Sequence, residues 1–184
     1  MALEIERKYL VNKDFANKLN TLNIQKYDIT QYYTQLGDNE KRFRRVIDEK
    51  GHTKYFHTTK DIMLNNWLSR VENEQETTED IYNANQSNMI GRPLHKIRHI
   101  LYINDIKYEI DRYQGLLYPL CVAEVEFDNI NDAGMFAKPD FCDREITDDK
   151  RFKNQSLMQL IEKIEQRSSG TEYDALFDID SYEL

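Results

Sequence analysis

The chain has 184 residues, 40% hydrophobic and 32% charged, with 12 tyrosines and 8 phenylalanines, a composition that builds a folded domain and excludes a disordered or low-complexity chain. Its net charge of −8 argues against general nucleic-acid binding, which needs a basic face to displace counterions from phosphate. No run approaches the ~18 apolar residues of a membrane span and no leader-like pattern precedes the first strand, so we expect a cytoplasmic protein, monomer or homodimer, with no membrane or nucleic-acid partner.

In chain order, LEIERKYLV (3–11) alternates apolar and charged residues at the period of a strand. Asn12 or Asp14 caps a short helix carrying Phe15, Leu19 and Leu22. YDITQYYTQL, EKRFRRVID, TKYFHTTK and WLSRVENEQE follow as strands, the middle pair joined by a turn at Lys50, Gly51 and His52. Thr77 or Thr78 caps a helix running through Ile81 and Ala84 towards Met89. LHKIRHILYI and IKYEIDRY form a hairpin about Asn104 and Asp105, and CVAEVEFDNI is the last strand-like segment. A short helix is expected from Ala133 to Ala137, and Ser156 caps LMQLIEKIEQR, whose Leu157, Leu160, Ile161 and Ile164 make an apolar stripe.

These elements predict an α+β fold: an eight-stranded, mostly antiparallel closed β-barrel, or tunnel, with helices packed outside. Residues 1–170 read as one domain and 171–184 as an acidic C-terminal tail. Cys121 and Cys142 match no metal or redox spacing and read as free thiols. His52, His57, His95, His99 and Trp67 read as surface or packing residues.

Nearly every strand carries its charges on one face. The rows are Glu4, Glu6 and Lys8; Arg42 and Arg44; Lys60; Arg70, Glu72 and Glu74; Lys96 and Arg98; Glu109 and Asp111; Glu124 and Glu126. The opposite faces carry Leu3, Ile5, Phe43, Val71, Ile97, Ile110, Val125 and Phe127. Charged rows ordinarily face water. Here the signs are sorted by strand, whereas a surface selected for solubility mixes them, and the amphipathic helices need an apolar exterior to cover. The charged rows are therefore expected to point inward. Such a lumen is wet and holds compensating ions, because an unpaired buried charge costs several kcal/mol. Arginine and lysine suit an extended polyphosphate, and paired carboxylates are hard oxygen ligands for Mg2+ or Mn2+.

With these rows laid out, the sequence resembles the CYTH superfamily, the triphosphate tunnel metalloenzymes, and within it the bacterial triphosphatase-like branch. EIERK reproduces the family's ExExK signature, followed in order by RFR, TTK, SRVENE, KIR, YEID, AEVEF and REITDDKRFKN, over roughly Met1 to Leu160. The resemblance implies a divalent-metal-dependent hydrolase of a small-molecule triphosphate, most simply inorganic tripolyphosphate. It implies substrate contacts from Lys8, Arg42, Arg44, Lys60, Arg70, Lys96 and Arg98, and metal contacts from Glu4, Glu6, Asp111, Glu124 and Glu126. Lys8 either orients the attacking water or contacts the terminal phosphate, or else it only pairs with Glu6. Glu72, Glu74 and Glu109 are further lumen candidates, and either Lys150 or Arg151 matches the family's late basic residue. His57 departs from the aliphatic residue common at its position. The same family includes class IV-type adenylate cyclases and nucleoside or thiamine triphosphatases, and a non-catalytic polyphosphate-binding protein is a third class.

Overall fold

The computed structural model describes the backbone of residues 2–61 and 69–168 and the side chains of 5–37, 39–59 and 72–165. The tail expected at 171–184, Trp67, and the side chains of Glu4, Lys60 and Arg70 lie outside the described residues.

The strands are β1 (Ala2–Val11), β2 (Lys26–Gln35), β3 (Glu40–Asp48), β4 (Thr53–Asp61), β5 (Ser69–Thr77), β6 (Ile90–Ile103), β7 (Ile106–Tyr113), β8 (Cys121–Glu126) and β9 (Cys142–Glu145). The helices are α1 (Lys13–Lys18), α2 (Glu79–Asn85), α3 (Ile130–Met135) and α4 (Asn154–Ser168). All nine strands form one antiparallel sheet in the order β5, β4, β3, β2, β6, β7, β8, β1, β9. The first residues of β1 also pair with β5, Leu3 opposite Val71 and Ile5 opposite Ser69, and its later residues pair with β8 and β9.

The fold is thus α+β with nine strands rather than the expected eight. The extra one, β9, is four residues, CDRE, lying against Tyr9 to Val11 of β1. Its pairing comes from tertiary context, because four mostly charged residues carry no strand period of their own.

Local chemistry sets most boundaries. Asn12 caps α1 by accepting the Phe15 N–H at 2.8 Å, and Thr78 caps α2 through the Ile81 N–H at 3.3 Å. Asn104 and Asp105 take φ of 50° and 64°, which their short polar side chains tolerate, so β6 turns into β7 within two residues. Two helix starts differ from expectation. Asn129 caps α3 at Ile130, ahead of Ala133, and α4 begins at Asn154, two residues before Ser156.

The apolar faces of the strands lie under the first three helices. Tyr9, Tyr108, Ile110, Ala123 and Val125 pack with Ala16 and Leu19 of the α1 segment; Ile5 packs with Ala133 of α3; Tyr32 and Phe43 pack with Tyr82 of α2. His57 joins this outer layer by stacking on Phe43, with ring centroids 4.7 Å apart. The opposite rows therefore face the concave side of the sheet.

Helix α4 has a different place from the other three. Leu157, Met158 and Ile161 pack against Tyr33, Leu94, Tyr113 and Val122, and the last three belong to the same rows as Lys96, Asp111 and Glu124. The α4 stripe consequently seals one end of the charged concave side. No described helix is long and apolar enough to cross a membrane.

His99, on the outer row of β6, is completely buried, and neither ring nitrogen has a hydrogen-bond partner of normal geometry among the described residues. Burial lowers its pKa below the ordinary 6.5, only partly offset by the backbone of Ile110 and Ile97. The unfolded chain then binds more protons than the folded one, so this stability is present above pH ~6.5 and is lost as pH falls below it. Urea unfolding of wild type should show a falling midpoint from pH 7.5 to 5.5. In His99→Leu that fall should be shallower.

Candidate active site

One row from each of β1, β3, β5, β6, β7 and β8 meets on the concave side. β2 separates the two basic strands, with Gln31 opposite Arg44 on β3 and Ile29 opposite Lys96 on β6. On the other side of β6 the wall turns acidic: Arg98 lies opposite Asp111, Glu109 opposite Glu124, and Glu126 opposite Glu6.

The innermost cluster is Lys96, Asp111 and Arg98. Asp111 is 0% exposed and Lys96 1%. Arg98 donates to Asp111 from Nε at 2.7 Å and from Nη2 at 2.6 Å, and Lys96 Nζ donates to the same carboxylate. Burial works against ionisation of Asp111, yet Arg98 and Lys96 hold its pKa below the usual carboxylate value. Lys96 is pulled down to about 8, burial outweighing Asp111. The structure thus gives Asp111, expected among the metal ligands, to two cations.

Arg98 also donates to Glu124 at 2.9 Å and to Glu109. Lys8 joins Glu124 at 2.8 Å and Glu6 at 3.0 Å. Burial opposes the Lys8 charge, but Glu124 and Glu6 outweigh it and hold the ammonium well above its usual pKa. Lys8 is therefore a fixed cation and not a proton acceptor at neutral pH.

Glu126 differs from the other carboxylates. It is exposed, has no hydrogen-bond or ion-pair partner among the described residues, and its pKa is raised by partial burial and by Glu109, Glu6 and Glu124. Four carboxylates on three neighbouring strands thus crowd one region, the donor chemistry that hard divalent cations use. No group of three metal-ligating side chains already converges among the described residues, since Lys8 and Arg98 occupy Glu124.

On the far side, Arg42 contacts Thr58 at 3.2 Å, Glu72 at 3.2 Å and Glu74 at 3.4 Å, while Arg44 pairs with Glu74. The candidates at the late basic position fall elsewhere. Lys150 is exposed, and Arg151 is exposed and pairs with Asp149 at 2.6 Å. Glu4, Lys60 and Arg70 are placed only by backbone register, Glu4 opposite Arg70 and Lys60 opposite Glu72.

The sequence reading missed the mouth. A cavity of about 680 Å³ is lined by Tyr27, Ile29, Val46, Phe56, Ile100 and Tyr102 beside Arg44, Arg98 and Glu109. These apolar residues continue the charged rows outward, and the same alternation, followed two residues further along β3 and β6, would have found Val46 and Ile100. Tyr33 and Tyr113, fully buried at the sealed end, were also missed.

A single concave site with basic and carboxylate walls, floored by aromatic residues and capped by a helix, defines a protein that handles a polyanion. No family model matches the chain. It is 32% identical over 155 residues to an inorganic triphosphatase of Nitrosomonas europaea, covering 84% of this chain and 95% of the relative. It is 28% identical over 161 residues to an inorganic triphosphatase of Acetivibrio thermocellus, covering 86% and 95%. The crystal structure of an inorganic triphosphatase superposes with a TM-score of 0.58 at 29% identity, covering 86% of this chain and 95% of that one. A Hippeastrum protein assigned as an adenylyl cyclase, whose structure reveals a dominant triphosphatase activity, shares the fold at a TM-score of 0.50 and 14% identity, covering 71% and 82%. The chain belongs to the CYTH family of triphosphate tunnel metalloenzymes.

The two kinds of lumen charge should respond oppositely to neutralisation. Arg98→Ala leaves Asp111 buried with Lys96 alone and should destabilise the fold by about 3–5 kcal/mol, the cost of removing one partner from a buried ion cluster. Glu126→Gln relieves carboxylate crowding and should leave the urea midpoint unchanged or raise it. A lower midpoint for Glu126→Gln would show that its charge is already compensated.

Proposed function

We propose that this protein hydrolyses triphosphate compounds, inorganic tripolyphosphate foremost, with Mg2+ or Mn2+, inside a tunnel that the β1–β5 pairing would close. The observation that carries the reading is the juxtaposition, on one concave side, of Arg42, Arg44, Lys96 and Arg98 with Glu6, Glu109, Glu124 and Glu126. The relatives' activity supports it.

Basic side chains from β3 and β6 would grip the triphosphate from both sides of β2 and hold it in line. Lys8, permanently charged, would contact a phosphate oxygen and offset negative charge as the bond breaks. Glu6, Glu124 and Glu126, with Glu109 and with Glu4 two residues before Glu6 on β1, would hold the divalent ions. Bound metal would neutralise phosphate oxygens and lower the pKa of a water. A water would add its oxygen to the terminal phosphorus as the bond from that phosphorus to the bridging oxygen breaks, and pyrophosphate would leave with the bridging oxygen. One water proton would stay on the new phosphate and the other would pass to solvent or to the leaving oxygen. Asp111 keeps Lys96 and Arg98 in place and is left out of the metal set.

The aromatic mouth favours a second reading, in which an organic group attached to the triphosphate rests on Tyr27, Phe56 and Tyr102. Purified protein incubated with tripolyphosphate, ATP or thiamine triphosphate, with Mg2+ or with EDTA, separates these readings by product chromatography. Tripolyphosphate should turn over fastest, EDTA should abolish turnover, and ATP should yield phosphate without cyclic AMP. Faster turnover of an organic triphosphate would establish the second reading, and cyclic AMP as the main product would overturn both.

A further inference from the structure

The arginine cradle on β3 is occupied by the protein itself. Arg42, Thr58 and Glu74 stand opposite one another on β3, β4 and β5 and form one rung across three strands. Thr58, completely buried, donates its hydroxyl to Glu74 Oε2 at 2.7 Å and accepts from Arg42 Nη2 at 3.2 Å. Arg42 and Arg44 donate to that same oxygen, so a single carboxylate oxygen takes three donors.

The cradle is unevenly satisfied, although Arg42 also reaches Glu72 Oε1 at 3.2 Å. Nε of Arg42 and Nε of Arg44 are both buried with no partner among the described residues. A group with more oxygens and more charge than a carboxylate fits these two unused donors. Arg44 is held below the usual arginine pKa by burial and by the repulsion of Arg42 and Arg98, which a polyanion relieves.

Two of the lumen counter-anions, Asp111 and Glu74, differ in how freely they can leave. Asp111 has no exposure, whereas the Glu74 side chain is 29% exposed, so it rehydrates at little cost when it swings away.

We propose that the Glu74 carboxylate is the resident counter-anion of the Arg42 and Arg44 cradle, which substrate must displace, and that it sets the minimum charge an anion needs to bind there. The proposal rests on the triphosphatase reading and deepens it. A triphosphate offsets the displacement through its other phosphoryl groups on Lys96, Arg98 and Lys8, held on the same molecule and so at high effective concentration. Pyrophosphate and orthophosphate lack that second grip. After cleavage the fragments are uncoupled, Glu74 returns to its arginines, and the products leave.

The test is calorimetric titration in Mg2+ buffer with pyrophosphate and with an imido-bridged, non-hydrolysable triphosphate analogue. Glu74→Gln should bind both about tenfold tighter than wild type, and pyrophosphate should become a stronger inhibitor of tripolyphosphate hydrolysis. Thr58→Val, which removes the hydroxyl holding the carboxylate, should move both in the same direction by less. Glu76→Gln removes an equal charge from β5 where it pairs with exposed Lys54, and should change neither by more than about threefold. Unchanged or weaker binding by folded Glu74→Gln and Thr58→Val, while wild type binds the analogue and Arg42→Ala does not, overturns this proposal and leaves the triphosphatase reading standing. Failure of wild type to bind the analogue overturns both.

Discussion

Asp111 is the fixed point of the lumen. It has no exposure, and its two oxygens take three hydrogen bonds from Lys96 and Arg98. A carboxylate in that position is tolerable only as the partner of cations, and two neighbouring cations are tolerable there only because of it. Arg98 then reaches on to Glu109 and Glu124, and Glu124 to Lys8. One buried cluster therefore sets the positions of basic and acidic side chains from four strands, β6, β7, β8 and β1. The outer helices can cover an apolar exterior only because these charges are satisfied inside.

The charges divide by how strongly the protein holds them. Around Asp111 the pairs are buried. Glu74 is partly exposed and its arginines keep unspent donors, while Glu126 is crowded by other carboxylates, which Lys107 offsets only in part. A fixed floor with an exchangeable rim is the arrangement a site needs when highly charged ligands must enter and also leave. Lys8 belongs to the fixed part, because Glu124 and Glu6 keep it charged. In the proposed reaction its role is electrostatic.

The face of each strand was legible in the sequence because side-chain alternation is local: Arg42 with Arg44, Lys96 with Arg98 and Glu124 with Glu126 declare their rows within three residues. What was not legible is non-local. Whether Asp111 meets a metal or Lys96 depends on the register of β6 against β7, and nothing within IKYEIDRY specifies that partner. The strand β9 exists only because β1 offers it an edge. The apolar stripe of α4 was recognisable, but its docking surface was not, because that surface is built from the ends of the charged rows, at Leu94, Tyr113 and Val122.

That change of character along a single row has a functional consequence. β6 reads Leu94, Lys96, Arg98, Ile100, Tyr102 on its concave side, apolar at the sealed floor, cationic in the middle and apolar again at the mouth. β2 repeats the trend with Tyr33, Gln31, Ile29 and Tyr27. The mouth these rows reach is mixed, because Asp48, His52, Lys54 and Lys107 share its lining with the apolar side chains and Tyr102 is 65% exposed, so an anion meets charge before it reaches Arg44 and Arg98. On the proposed function the floor under α4 would stop it, and the length of the charged band would set how many phosphoryl groups are gripped at once. On the triphosphatase reading the cations would supply the attraction and the sealed end the limit, while the mouth leaves room for what the triphosphate carries.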